Sequence, residues 1–117
     1  MLQGIIVSDT LMFGDGLKCL LLGEVEIVAE EMDVNQAIAR VKSLKPDVVI
    51  WANTGMKREA RSQEARLLEA MPDIKTVSLN LQNNEITIYN SGRKTVRVAQ
   101  DTQDLIEAIK GEALPPS

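Results

Sequence analysis

The stretch Lys45-Pro46-Asp47-Val48-Val49-Ile50-Trp51 decides the fold of this 117-residue chain. The ring of Pro46 disfavours helical geometry at Lys45, so a helix ends there. The run behind it, Asp47 to Trp51, is nearly continuously apolar, the pattern of a strand covered on both faces. Such a strand belongs to a parallel sheet with helices above and below it.

Working outward, the flanks repeat that unit. Upstream, Asp33 and Gln36 form a capping-box-like pair that opens a helix, with Val34, Ala37, Ile38, Val41 and Leu44 as its buried stripe. Glu26 to Ala29 is a strand before it. Leu11 to Leu22 has the helical spacing Phe13, Leu17, Leu20, Leu21 and stops at Gly23, and Leu2 to Val7 is a first strand ending on Ser8-Asp9-Thr10. Downstream, Ala52 to Gly55 is a loop, Met56 to Met71 a helix and Lys75 to Leu79 a fourth strand. Strand and helix alternate with short connections, which predicts a mostly parallel sheet covered on both faces.

The alternation breaks after Asn80. Ile86 and Ile88 alternate with Thr87 and Tyr89, and Val96 and Val98 with Thr95 and Arg97, so Glu85–Tyr89 and Arg93–Ala99 read as a hairpin. Gly92 suits the left-handed position of a three-residue loop, Asn90-Ser91-Gly92, which sets Ile86 opposite Val96 and Glu85 opposite Arg97. A two-residue Ser-Gly turn would set Ile86 opposite Arg97 instead. Asp101 caps a last helix with Leu105, Ile106 and Ile109 inward and Gly111 as its stop. One domain therefore occupies residues 1–111, and residues 112–117 form a tail or the start of a linker.

Composition excludes whole classes of chemistry. The chain has no histidine and one cysteine, so an internal disulfide, a Cys/His zinc site and a histidine-dependent catalytic triad are all ruled out. The net charge of −4, a pI near 4.8 and an aromatic content of 3% argue against nucleic-acid binding by this domain. No apolar run approaches the length of a membrane span and the first residues lack a signal-peptide pattern, so a cytoplasmic protein is expected.

Several residues together resemble a known family. They are Ser8-Asp9 with Leu11, Phe13, Gly16 and Leu17, then Val28-Ala29-Glu30, Lys45 to Ile50, and Leu105 to Ile109. Over roughly Leu2–Lys110, except Leu81–Gly92, the chain resembles the receiver domain of two-component response regulators. The nearest likeness is to receivers that precede a helix-turn-helix output domain of the LuxR type. The resemblance implies a flavodoxin-like three-layer sandwich with strand order 2-1-3-4-5, here with the hairpin in place of the fourth helix. It also implies a site for phosphoryl transfer to an aspartate, built from two acidic residues holding magnesium, an acceptor carboxylate, a Thr or Ser, and a Lys.

This sequence departs from that site at nearly every position. The acidic pair falls on Ser8 and Asp9, the acceptor on Ala52, the Thr/Ser on Asn80 and the Lys on Val98; Asn53 follows the acceptor position. A methyl group accepts no phosphoryl, and one carboxylate is a poor magnesium site. No metal and no cofactor are expected. The resemblance thus implies a pseudo-receiver: a non-catalytic regulatory module, acting through a protein partner or self-association. The exposed polar set of the hairpin, Thr87, Tyr89, Lys94 and Arg97, is the expected interaction surface, on an extra strand antiparallel to the last parallel strand at the sheet edge. An ordinary edge protected by Lys and Arg is an equal reading. The alternative function is a small ligand bound among Ser8, Asp9, Asn53 and Asn80 at the strand ends, although loops capping helices and meeting water explain those residues more plainly. Trp51 reads as sheet-to-helix packing, Lys57, Arg58, Arg61 and Arg66 as a solvent face, and Cys19 as a buried small residue.

Overall fold

The structure, a computed structural model, describes residues 2–8, 11–53, 65–66, 68–70, 73–80, 82–90 and 93–110, with backbone alone for 11–14 and 53. The elements run β1 (Gln3–Ser8), α1 (Leu11–Leu20), β2 (Glu26–Glu31), α2 (Val34–Leu44), β3 (Val48–Asn53), β4 (Lys75–Asn80), β5 (Glu85–Asn90), β6 (Arg93–Val98) and α3 (Thr102–Lys110). Residues 65–66 and 68–70 are helical; the rest of the expected helix 56–71, including Lys57, Arg58 and Arg61, lies outside the described residues, as does the tail 112–117. None of the described helices is long and apolar enough to cross a membrane.

One six-stranded mixed sheet carries the chain, in the order β2-β1-β3-β4-β5-β6. The first four of these strands are parallel, and β5 is antiparallel to both β4 and β6. The alternating α/β architecture is consistent with a receiver-like fold, but the expected order 2-1-3-4-5 and its largely parallel character need correction. The strand next to β4 is the first hairpin strand, running backwards, and the sheet edge is β6. The connection explains this. Only residues 81–84 separate β4 from β5, whereas a crossover to a parallel neighbour needs about a dozen residues. Asn80 Oδ1 accepts from Gln82 N at 2.9 Å, Asn83 Oδ1 accepts from Glu85 N at 2.9 Å, and Asn84 adopts a left-handed φ of 57°. These Asx contacts fold the chain straight back on itself.

The hairpin register also differs from expectation. Asn90 pairs Arg93 and Ile86 pairs Arg97, so the loop has two residues rather than three. Two-residue loops match the right-handed twist of the strands they join. A one-residue change in register turns a strand over. Thr95 and Arg97 therefore share a face with Ile86 and Ile88, while Val96 and Val98 point the other way and are 50% and 61% exposed.

Two cores flank the sheet. On one face Ile6, Val48, Ile50, Val77, Leu79 and Ile86 pack against Leu17 and Leu21 at α1 and Leu105, Ala108 and Ile109 of α3. On the other, Ile5, Val7, Val49 and Trp51 pack against Val34, Ala37 and Val41 of α2. Trp51 thus sits between sheet and helix, with its Nε1 buried and unpartnered. Gly4 is closely packed in the first core: a Cβ there would lie 3.1 Å from Val25 Cγ1 and 3.3 Å from Val48 Cγ1. Asp33 caps α2 by accepting from Asn35 N at 2.8 Å, and Lys45 ends it in a left-handed conformation before Pro46. Leu44, expected inward, is partly exposed, as is Leu20. Arg66 donates to Asn35 Oδ1, tying residues 65–66 to the start of α2.

Candidate functional site

In open sheets of this kind, ligands gather at the carboxyl ends of the parallel strands. Ser8 of β1 pairs Ala52 of β3, Ala52 pairs Leu79 of β4, and Asn53 pairs Asn80. Adjacent strands lie about 4.8 Å apart. The structure thus sets Ser8 and Ala52 side by side on the α1/α3 face, in line with Leu79, and turns Asn80, the next residue of β4, to the other face; Asp9 and the Asn53 side chain lie outside the described residues. Val98 is not brought in. Asn80 pairs Glu85, which pairs Val98, so β5 stands between Val98 and the β4 end.

The chemistry of this cluster is modest. Ser8 is buried and Ala52 is fully buried within the α1/α3 core, beside Leu79. Asn80 spends its Oδ1 on the turn that follows it. Ala52 presents no ligand atom, and Ser8 and Asn80 supply no carboxylate, the ligand through which proteins usually hold magnesium. Among the described residues no three His, Cys, Asp or Glu side chains are grouped to hold a metal.

A larger opening lies next to the cluster on the same face. A cavity of about 440 Å³ separates α1 from the start of α3, with Leu17, Leu20, Leu79, Ala99 and Leu105 as its apolar wall. Asn84, Gln100, Asp101 and Thr102 supply its polar rim. Part of that rim is committed to backbone. Ala99 N donates to Asn84 O at 2.8 Å, Asp101 Oδ1 accepts from Asp104 N at 3.0 Å, and Asp104 Oδ2 accepts from Gln100 N at 2.8 Å. These contacts cap α3 in the expected place. The cavity takes Leu79 from the strand ends but neither Ser8 nor Asn80.

The expected interaction surface is divided between the two faces of the hairpin. Thr87, Tyr89 and Lys94 lie on the α2 face, and Arg97 on the α1/α3 face. Lys94 Nζ stands 6.0 Å from the Tyr89 ring centroid, at the limit of a cation–π contact. Thr87, Tyr89 and Arg97 are half-buried and Lys94 is exposed.

Two charged groups carry signals that the sequence reading missed. Burial raises the Glu30 carboxyl above the usual range, aided by a hydrogen bond and repulsion from Asp15, while Lys18 works the other way. Burial lowers the Lys75 ammonium, which donates to Ile109 O at 3.1 Å near the end of α3. The bulge at Val28 pairs Glu30 with Ile6 and so places it on the face over which α1 packs; simple alternation from Ile27 would have set it on the other face. Cys19 is exposed, contrary to expectation. It lies two residues from both Leu17 and Leu21, on the far side of the helix from the core.

No protein-family model matches the sequence. The chain is similar to the transcriptional regulatory protein DegU of Brevibacillus brevis, 28% identical over 115 residues that cover 93% of this chain and 49% of that protein. The chain therefore spans about half the length of the curated relative it matches. The similarity and the α/β architecture together support a receiver-like regulatory domain.

Proposed function

We propose that this chain is a pseudo-receiver: a non-catalytic regulatory module of a transcription regulator, acting in the cytoplasm by protein–protein contact and not by aspartyl phosphorylation. The observation that carries the reading is Ala52. The position that the receiver resemblance assigns to the acceptor carboxylate holds a methyl group, fully buried between Ser8 and Leu79. A phosphoryl acceptor must be an exposed nucleophile that binds metal and donor together. The absence of histidine and the apolar character of the neighbouring cavity support a module without an active site. The net charge of −4 supports a protein partner over nucleic acid.

Two measurements test this. Incubation with magnesium and a small acyl phosphate, followed by intact mass, is expected to leave the mass unchanged. A covalent phosphoryl adduct abolished by Asp9→Ala would overturn the pseudo-receiver reading. Affinity capture from a cell extract, repeated with the double variant Lys94→Glu/Arg97→Glu, tests the hairpin as interaction surface. Captured proteins that do not change between the two baits would remove it.

A second reading is favoured by the cavity. Its 440 Å³ falls in the range of small-molecule pockets, about 300–1,000 Å³. An apolar ligand there would bear on both α1 and α3. Native mass spectrometry of the protein purified from cells tests this, and a spectrum with no bound small molecule counts against it.

A further inference from the structure

We infer that copies of this chain join head to tail, with the basic edge strand β6 of one copy lying parallel to the acidic edge strand β2 of the next. The inference rests on the hairpin as the interaction surface and names its occupant, a second copy of the chain.

The two edges of the sheet are chemically opposite. β6 carries Arg93, Lys94 and Arg97 and no acidic residue, while β2 carries Glu26, Glu30 and Glu31 and no basic one. Among the described residues no acidic partner is present for Arg93, Lys94 or Arg97. On β2, Glu31 is held by Arg40 at 3.1 Å; Glu26 is exposed and, among the described residues, accepts only from the neutral Gln3 Nε2 at 3.2 Å, and Glu30 sits beside Asp15 and Lys18 of α1 with its Oε2 buried and unpartnered. Charges on an edge strand commonly discourage pairing with other chains. That works when every edge has the same sign. Opposite signs on the two edges discourage each edge from meeting its own copy and direct it to the other.

Symmetric pairings in the fully overlapped register fail on this count. An antiparallel β6–β6 contact centred between Thr95 and Val96 sets Lys94 opposite Arg97, and a β2–β2 contact centred between Val28 and Ala29 sets Glu26 opposite Glu31. Like charges directly opposite are destabilising.

The heterologous pairing meets no such conflict. β2 and β6 run in the same direction, since two antiparallel steps from β4 restore the orientation of the parallel strands. A second copy set beside the first therefore continues the sheet in parallel, with like faces aligned. Lys94 and Glu26 both lie on the α2 face, and Arg97 and Glu30 both on the α1/α3 face. With Lys94 set beside Glu26, the bulge at Val28 brings Val96 beside Ala29 and Arg97 beside Glu30. Both charge pairs form on their proper faces, and exposed Val96 gains an apolar neighbour. Because the two surfaces differ, the contact propagates into rings or filaments rather than stopping at a dimer.

Sedimentation of the whole chain tests the inference. The weight-average mass is expected to rise with concentration above the 12.9 kDa of one copy and to fall as salt screens the charge pairs. Lys94→Glu/Arg97→Glu and, separately, Glu26→Lys/Glu30→Lys should each weaken association about tenfold or more, since two attractive pairs become repulsive. Mixing the two variants restores opposite charges at every junction, so the mixture should associate where neither variant does alone. That rescue separates lost pairing from lost folding. A monomer at every concentration, association unaffected by either variant, or a mixture that stays monomeric would each overturn it. The capture experiment above distinguishes this failure from failure of the hairpin reading, because a monomeric chain can still lose captured proteins on Lys94→Glu/Arg97→Glu.

Discussion

The sheet has two halves built on different rules. From β2 to β4 the strands are parallel, joined by long crossovers and packed on both faces; Ile5, Ile6, Val48, Val49, Ile50 and Trp51 are almost wholly hidden. From β4 to β6 the strands are antiparallel and joined by short turns, and in β5 and β6 the α1/α3 face is the better covered among the described residues. Ile86 is fully buried there, while Val96 and Val98 face outward on the other side. The parallel half concentrates the hydrophobic effect and leaves little room for polar chemistry, even at Ala52. The hairpin half has surface to spare, and it carries charge and apolar side chains where another chain can reach them.

The largest effect should come from forcing chemistry back into the parallel half. Ala52→Asp places a carboxylate in an apolar core with no cation beside it among the described residues, and is expected to cost about 3–5 kcal/mol by denaturant unfolding. The same new charge at half-buried Thr87, on the hairpin, should cost well under half as much. Equal losses at the two positions would erase the contrast. Next in size, Ile86→Ala should cost about 2–4 kcal/mol, because its side chain is fully buried in the α1/α3 core. Val96→Thr, two strands out and half exposed, should stay within about 0.5 kcal/mol. Smaller again, Asp33→Ala removes the acceptor for Asn35 N and should lower stability by about 1 kcal/mol. Differential scanning fluorimetry ranks all of these on one scale.

How far the sequence could be read follows the same division. The run from Asp47 to Trp51 announces a two-sided strand because it is short, rich in β-branched residues and preceded by Pro46, and Asp33, Lys45-Pro46 and Asp101 mark helix ends by local chemistry. In the hairpin the local rules tie. Strands 85–90 and 93–98 alternate equally well in either register, and one residue more or less in the loop turns β6 over. The four-residue link after Asn80 allows only a reversal of β5, and the β5–β6 register follows from the two-residue loop that matches the twist of its strands. At the site, the neighbourhood of Ser8 and Ala52 was legible from strand ends alone, but the turn of Asn80 to the other face depends on the register of β4 against β3. The cavity was not, since its wall joins Gly16 and Leu17 to Leu105 across most of the chain. Cys19 was legible and misread: its apolar neighbours suggested burial, but the helical phase set by Leu17 and Leu21 turns it to solvent.

The smallest effect tests the acidic edge at the far end of the parallel half. Glu30 is raised by burial and by Asp15, so the folded protein holds its proton to higher pH than the unfolded chain does. Between the unfolded and folded values the native state binds more protons, and stability must fall as pH rises through that window. The favourable contribution is complete below the ordinary carboxylate range and gone above the raised value. Glu30→Gln removes the titration and keeps the shape. It should therefore raise stability at pH 7 by under about 1 kcal/mol, because the site is partly open to solvent. It should also flatten the loss of stability on going from pH 4 upward. A variant less stable than the parent at pH 7 would mean that the Glu30 charge already has a partner that offsets its burial, and the acidic edge would then be less available to a neighbouring β6.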